Sequence, residues 1–413
     1  MNAPPGAPAA TTSAGLGLVL TVTLLVQVMM AFAHMVPAVT APRVAGDLGV
    51  APESLGLFML VAGVTAVVAS PFLGTLIHRF GAFRLNQFGV IAVALAMLAG
   101  ATGWVPMLLV CAMLLGLGMT TAMPTAAQLL ARVTPPHRLS VVLSIRQAGV
   151  PIGYALTGLV VPALLLVIDW RLVLALIALA LLASALLEAP LRSRIEGGPP
   201  MAARAGGGAA SLPALMRSVL ANRRLLAISL CSMSYSFAQS ALMVYLVSYL
   251  NLELGYSLAS AGAVMSLSLS VALVARLVWG WVADRVGTFI VLGGLGLASA
   301  VLSGIAACFS PAWPVWLVCT VAAGLGATMT AWNGVYAGGV VRLSPAGEAG
   351  AIMGASNVFG YVGMLLGPSL GALAISLTGT YAAAYILSVV VTLPVAWKLL
   401  ALARSGNDRH GRS

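Results

Sequence analysis

Twelve apolar runs, each long enough to cross a bilayer as a helix, constrain this chain more than any other feature. Read between charges and Gly/Pro breaks, they cover residues 17–38, 54–77, 85–103, 106–130, 140–166, 171–188, 225–249, 259–282, 289–309, 313–339, 350–376 and 382–402. A helix needs about 20 apolar residues to span the hydrocarbon. In lipid, every backbone polar group must find a partner within the protein, which only helices and closed barrels achieve. The runs are too long for barrel strands and lack in/out alternation. The fold class is therefore an all-α membrane protein with 12 transmembrane helices. Composition agrees, since charged residues make up 7% of the 413, against about 25% in soluble domains. A soluble enzyme, a disordered scaffold and a nucleic-acid binder are excluded.

The net charge of +11 has a topological explanation. With the N-terminus in the cytoplasm, sixteen basic residues fall on the cytoplasmic side: Arg79, Arg84, Arg132, Arg138, Arg192, Arg194, Arg204, Arg217, Arg223, Arg224, Arg285, Arg342, Lys398, Arg404, Arg409 and Arg412. Only Arg43 and Arg171 fall outside. This positive-inside bias places both termini in the cytoplasm, for a multi-pass protein of the cytoplasmic (inner) membrane. The expected organisation is a tail at 1–16, a six-helix bundle at 17–188, a polar linker at 189–224, a second bundle at 225–402 and a tail at 403–413. The first fifteen residues carry no Lys or Arg, so the first run is expected to stay as an anchor rather than be cleaved as a signal. Cys111, Cys231, Cys308 and Cys319 all lie in apolar runs without a CxxC pair. They read as small core residues, with no metal site, cofactor or disulfide implied.

The halves repeat. Gly74-Thr-Leu-Ile-His78-Arg79-Phe-Gly81 aligns with Gly280-Trp-Val-Ala-Asp284-Arg285-Val-Gly287, Gly116-Leu-Gly118 with Gly324-Leu-Gly326, and Arg132-Val-Thr-Pro135 with Arg342-Leu-Ser-Pro345. Consistent order and slowly drifting offsets point to duplication. Parallel six-helix repeats place a binding site near the bilayer midplane between the halves, reached alternately from each side. With these residues the chain resembles the major facilitator superfamily of secondary transporters over roughly residues 16–402. Gly280 to Gly287 fits that family's GxxxDRxG loop. The resemblance implies gating by Asp284, which caps a helix end, and Arg285, which pairs across. Gly280, Gly287, Gly74 and Arg79 complete the gating set, while the first copy departs from the pattern with His78 where the family has Asp.

Two charges lie deep within the runs, Arg146 and Arg276. Each is eight residues from a surface charge, Arg138 or Asp284, or about 12 Å along a helix. A charge at that depth costs about 2.5–3.5 kcal/mol and survives by facing a cavity or a partner. Every Asp and Glu falls near one surface or the other, so the expected counter-ion is cargo. A guanidinium fork matches a carboxylate, and a small organic anion is the expected guest. The segment Ala275-Arg276-Leu-Val-Trp-Gly280 is similar to the eighth helix of the monocarboxylate and oxalate–formate carriers. That likeness implies carboxylate binding by Arg276. Those oxalate carriers also use a Lys on the eleventh helix, where this chain has Ser356 and Asn357. Arg146 is the expected second cation.

Polar residues at helical spacing complete the expected cavity: Gln27 on the first helix, Tyr154 on the fifth, Tyr235 and Gln239 on the seventh, Trp332 and Asn333 on the tenth, and Asn357 on the eleventh. His34 titrates near neutrality and is the candidate for proton coupling; a simple hydrogen-bonded histidine is the competing reading. The expected function is secondary transport of a small organic anion by alternating access, proton-coupled or by exchange. Partners are the anion and membrane lipid, with no nucleic acid, and the protein is expected as a monomer. An exporter of drugs or of neutral or acidic metabolites is the second reading, and a non-transporting membrane sensor the third. No clustered acid/base or metal groups suggest an enzyme.

Overall fold

The computed structural model describes residues 15–49, 54–196 and 212–404. Most of the N-terminal tail, the middle of the linker and the C-terminal tail, with Arg204, Arg409 and Arg412, lie outside the described residues. The described residues are helical throughout, with no strand. Twelve helices are long and apolar enough to cross a membrane: Leu16–Ala41, Leu57–Phe80, Ala82–Ala101, Val105–Val133, Pro136–Leu165 and Trp170–Glu196, then Arg223–Glu253, Ser260–Val286, Thr288–Ala307, Val315–Leu343, Ala349–Thr378 and Ala382–Arg404. In chain order they are spans 1 to 12. Each half has six, so residues 15, 196, 212 and 404 lie on one face, termed the linker face.

Local chemistry sets the ends. Asp169 accepts from the N–H of Arg171 to start span 6, and Asn222 accepts from those of Arg224 and Leu225 to start span 7, the capping such helix starts require. Gly81 (φ 86°, ψ 154°) and Gly287 (φ 104°, ψ 145°) make the same sharp turn into the next span. That backbone conformation favours glycine, and its occurrence at matching motif positions carries the repeat into three dimensions. The other glycine pairs do likewise. Gly116 lets span 4 cross directly on the backbone of Ala62 in span 2, and Gly326 lets span 10 cross on that of Ser268 in span 8.

The core shows how the halves meet. Toward the linker face one continuous apolar cluster joins Leu73, Ile77, Leu130 and Leu143 of the first half to Ile228, Leu292, Val335 and Ile352 of the second. Toward the opposite face the core divides. One cluster around Met30, Met97 and Trp170 belongs to the first half alone, and another around Leu246, Tyr249 and Leu325 to the second alone. The apolar core is shared by both halves at the linker face and stays within each half on the other.

The described parts of the linker are largely helical, and one expectation about the cysteines needs correction. A 3-10 turn and a short helix, Arg192–Glu196, form the end of span 6, and a further helix, Leu212–Ala221, precedes span 7. Leu215 and Val219 of that second helix are buried in the shared core, because they stand one turn apart on its inner side. Cys111 and Cys231 are buried as expected, but Cys308 is exposed and Cys319 half-buried. Cys308 falls beyond the last turn of span 9, where the helix has already ended.

Candidate functional site

Spans 5 and 10 are each broken near the middle of their length, and the breaks frame the candidate site. Span 5 stops its first helix at Gln147 and restarts at Gly149. Pro151 stands four residues after Gln147 and has no N–H to give that carbonyl. Span 10 ends its first helix at Met329 and restarts at Asn333, which leaves the Thr330 carbonyl outside either ladder. Both free carbonyls sit at C-terminal ends of half-helices, where the dipole is negative and a cation is stabilised.

Arg276 fills that place. From span 8 its guanidinium donates to the Gln147 carbonyl at 2.6 Å and to the Thr330 carbonyl at 2.9 Å. One partner belongs to each half, so this single side chain ties the two together. Arg146, 1% exposed, turns into the first half and donates to the Ala122 carbonyl at 2.7 Å and to Oε1 of Gln147 at 2.9 Å, with Met123 Sδ at 3.6 Å. Gln147 thus serves both cations, one through its side chain and one through its backbone. No carboxylate pairs with either guanidinium among the described residues. The Nε–H of each is buried without a partner.

The other expected site residues divide into two groups. Around the breaks, Trp332 donates from Nε1 to Gln239 Oε1 at 3.2 Å, Asn333 lies 3.4 Å from the Thr330 carbonyl, and Tyr336 donates to Ser356 Oγ and Asn357 Oδ1. Tyr154 stacks with His34, its hydroxyl 3.3 Å from Nδ1, and is within electrostatic reach of Arg276. The rest face elsewhere. Tyr235 is buried and donates to the Leu292 carbonyl at 2.5 Å, a contact inside the second half rather than a cavity lining. Gly149 and Gly153 are the packing surface against span 1, beside Gln27 and the Val28 carbonyl, and Thr157 donates to the Phe32 carbonyl. Arg146 likewise faces span 4, not the seam between halves.

Closer to the linker face, two seams hold it shut. In the first, Asp284 accepts from the N–H groups of Ser140 and Val141 at the start of span 5, at 3.0 and 2.9 Å, and pairs with Arg342. Arg342 also donates to Ser140 Oγ and Thr288 Oγ1. Gly280, Gly334 and Gly338 admit the Ser140–Ser144 stretch so closely that any Cβ there would collide with it. In the second seam, Gly74 rests on Ala351, where a Cβ would stand 2.7 Å from the alanine's own. Ser70 donates to the Gly354 carbonyl, while Gln128 accepts from Gly350 N–H at 2.7 Å and donates to the Gly347 carbonyl at 2.6 Å.

Arg285, expected to pair across the seam, stacks on Trp281 of its own span, and Arg79 lies over Phe80. The charge that pairs with Asp284 is Arg342. Gln128, rather than a residue of the first motif copy, caps the start of span 11 through Gly350 N–H, as Asp284 caps that of span 5. Sequence reasoning missed Gln147, Gln128, Thr330 and the role of Arg342. The Pro151 spacing was a readable signal for the Gln147 carbonyl; the others depend on contacts between distant segments.

Comparison with solved structures gives the fold alone. The E. coli fucose:proton symporter FucP is 14% identical with TM-score 0.72, over 94% of this chain and 99% of that one. A bacterial homologue of the iron transporter ferroportin, in an outward-facing state, is 15% identical with TM-score 0.74, over 94% and 99%. The proton:xylose symporter XylE is 15% identical with TM-score 0.70, over 95% and 96%. No curated protein matches the chain. The sequence pattern of the Major Facilitator Superfamily matches residues 23–368, which covers most of span 1 through most of span 11, with the broken spans and both seams. The chain belongs to the Major Facilitator Superfamily, and is a membrane transporter rather than an enzyme.

Proposed function

We propose that this transporter carries a small organic anion, a carboxylate, by alternating access across the cytoplasmic membrane. The observation that carries the proposal is Arg276, a buried guanidinium held by neutral carbonyls, with an unpartnered Nε–H and no carboxylate neighbour. Arg146 adds a second positive charge nearby, held inside the first half. The pair favours an anion over a cation, and the neutral lining of Gln239, Trp332 and Asn357 offers hydrogen bonds without an opposing charge. The structural relatives carry fucose, xylose or, in the ferroportin homologue's case, bear on iron. A neutral sugar would leave both cations uncompensated. For iron, no group of His, Cys, Asp and Glu that could hold a metal occurs among the described residues.

The linker face is assigned to the cytoplasm on the sixteen-to-two distribution of basic residues. A core shared at the linker face and divided at the opposite one then fits an outward-facing form, the state named for the ferroportin homologue. The His34–Tyr154 pair is the proposed proton carrier if uptake is proton-coupled, and anion exchange needs no such group. The test is calorimetric binding by purified protein in nanodiscs to oxalate, lactate, benzoate, xylose and a cationic dye. Carboxylates bind and the others do not. Arg276→Gln weakens carboxylate binding ~30-fold or more, from the roughly 2–5 kcal/mol that a desolvated charge pair carries. Xylose binding without carboxylate binding overturns the assignment.

A further inference from the structure

The geometry points to Arg276 as a transferable clasp: acidic cargo draws its guanidinium off the Gln147 carbonyl, and that loss releases span 5 from span 8 and frees the linker face to open. The inference rests on the anion reading and adds how binding is coupled to gating. Three observations carry it. Arg276 has one main-chain partner in each half, Gln147 and Thr330, so it cannot keep both when the halves rock apart. Each partner is a neutral carbonyl, which a carboxylate outcompetes for a guanidinium because it adds ion–ion attraction and a two-point fork to the hydrogen bond. Finally, Nε–H is buried and unpartnered, so the arginine holds a donor in reserve for a two-point grip on an arriving carboxylate.

The same arrangement blocks empty cycling. Without cargo, parting span 5 from span 8 strips a buried guanidinium of one of its two carbonyl partners, and a buried donor left unsatisfied is costly. With cargo the charge stays neutralised throughout. Binding therefore lowers the barrier at the deepest layer of the seam, two turns above the Asp284 latch, about 12 Å along span 8. Asn333, beside the Thr330 carbonyl, is placed to order the exchange.

Pro151 gives the test. Pro151→Ala returns an N–H to position 151, four residues after Gln147, and draws the Gln147 carbonyl back into the helical ladder and away from Arg276. Carboxylate affinity should rise about five-fold, the worth of one competing hydrogen bond. Hydrogen exchange in wild-type nanodiscs gives the second readout, because the amides of Ser140 and Val141 are held by Asp284. Saturating oxalate, lactate or benzoate should speed exchange across residues 139–147, and Pro151→Ala should raise the cargo-free rate. Suppose a carboxylate binds and Arg276→Gln abolishes it, yet Pro151→Ala changes neither affinity nor exchange. The clasp is then wrong and the anion reading stands. If wild-type protein binds none of the three, both fall. If Pro151→Ala does not fold, wild-type exchange decides: unchanged or slower exchange with bound carboxylate overturns the clasp.

Discussion

Asp284 does two things with one carboxylate: it caps the first two free N–H groups of span 5 and neutralises Arg342. Asn at this position keeps the shape but offers one acceptor oxygen and no charge. Asp284→Asn should cost the closed linker face about 2–3 kcal/mol, less than a fully buried pair because Arg342 keeps some contact with water. Amide exchange at Ser140 and Val141 should speed at least ~10-fold, and an unchanged rate would remove Asp284 from the gate. This residue was readable from the motif alone. Its partner was not, because Arg342 lies 58 residues away and only packing brings it near. Gln128 was harder still, since a lone amide in an apolar run has no local signature for the helix end it caps. Arg276 and Arg146 stood out by depth. Nothing in their spacing showed that one would bridge the halves while the other turned into the first.

At the level of helices, the contacts that matter are crossings without side chains between them. Gly280 of span 8 lies against Ser144 Cβ and Oγ and the Ser140 carbonyl of span 5. Gly280→Ala should hold that crossing open and cut transport by an order of magnitude, because overpacking a close contact costs about 1–3 kcal/mol. Ser144→Gly removes two of the three obstructing atoms, so the double variant should recover most of the rate; no recovery would show that the damage lies elsewhere. The spans and their duplication were legible because hydropathy and glycine spacing are local. Which way each helix faces was not. Tyr235 shares a helical face with Gln239 by arithmetic, yet it reaches into span 9 to find a carbonyl, because a buried phenol must satisfy its hydroxyl. The breaks in spans 5 and 10 re-aim the second half-helix of each span, which a regular 3.6-residue count does not anticipate.

Over the whole molecule, the two seams differ in kind. One is charged, through Asp284 and Arg342, and the other is neutral, through Gln128, Ser70 and close-packed backbone. The linker helix Leu212–Ala221 lies at the neutral one: a Cβ at Gly74 would stand 2.8 Å from Leu215 Cδ1 and 2.7 Å from Ala351 Cβ, so the linker helix, span 2 and span 11 meet at one point. Leu215→Ala should weaken the closed form by roughly 2–4 kcal/mol, as large-to-small core changes do, and speed amide exchange across residues 350–354. Wild-type exchange there would show that the helix merely rests on the seam. With Leu215 wedged at that meeting point, the tether between the halves is no slack rope. Each turnover has to lift it off and lay it down again, so the connection keeps time with the door it crosses.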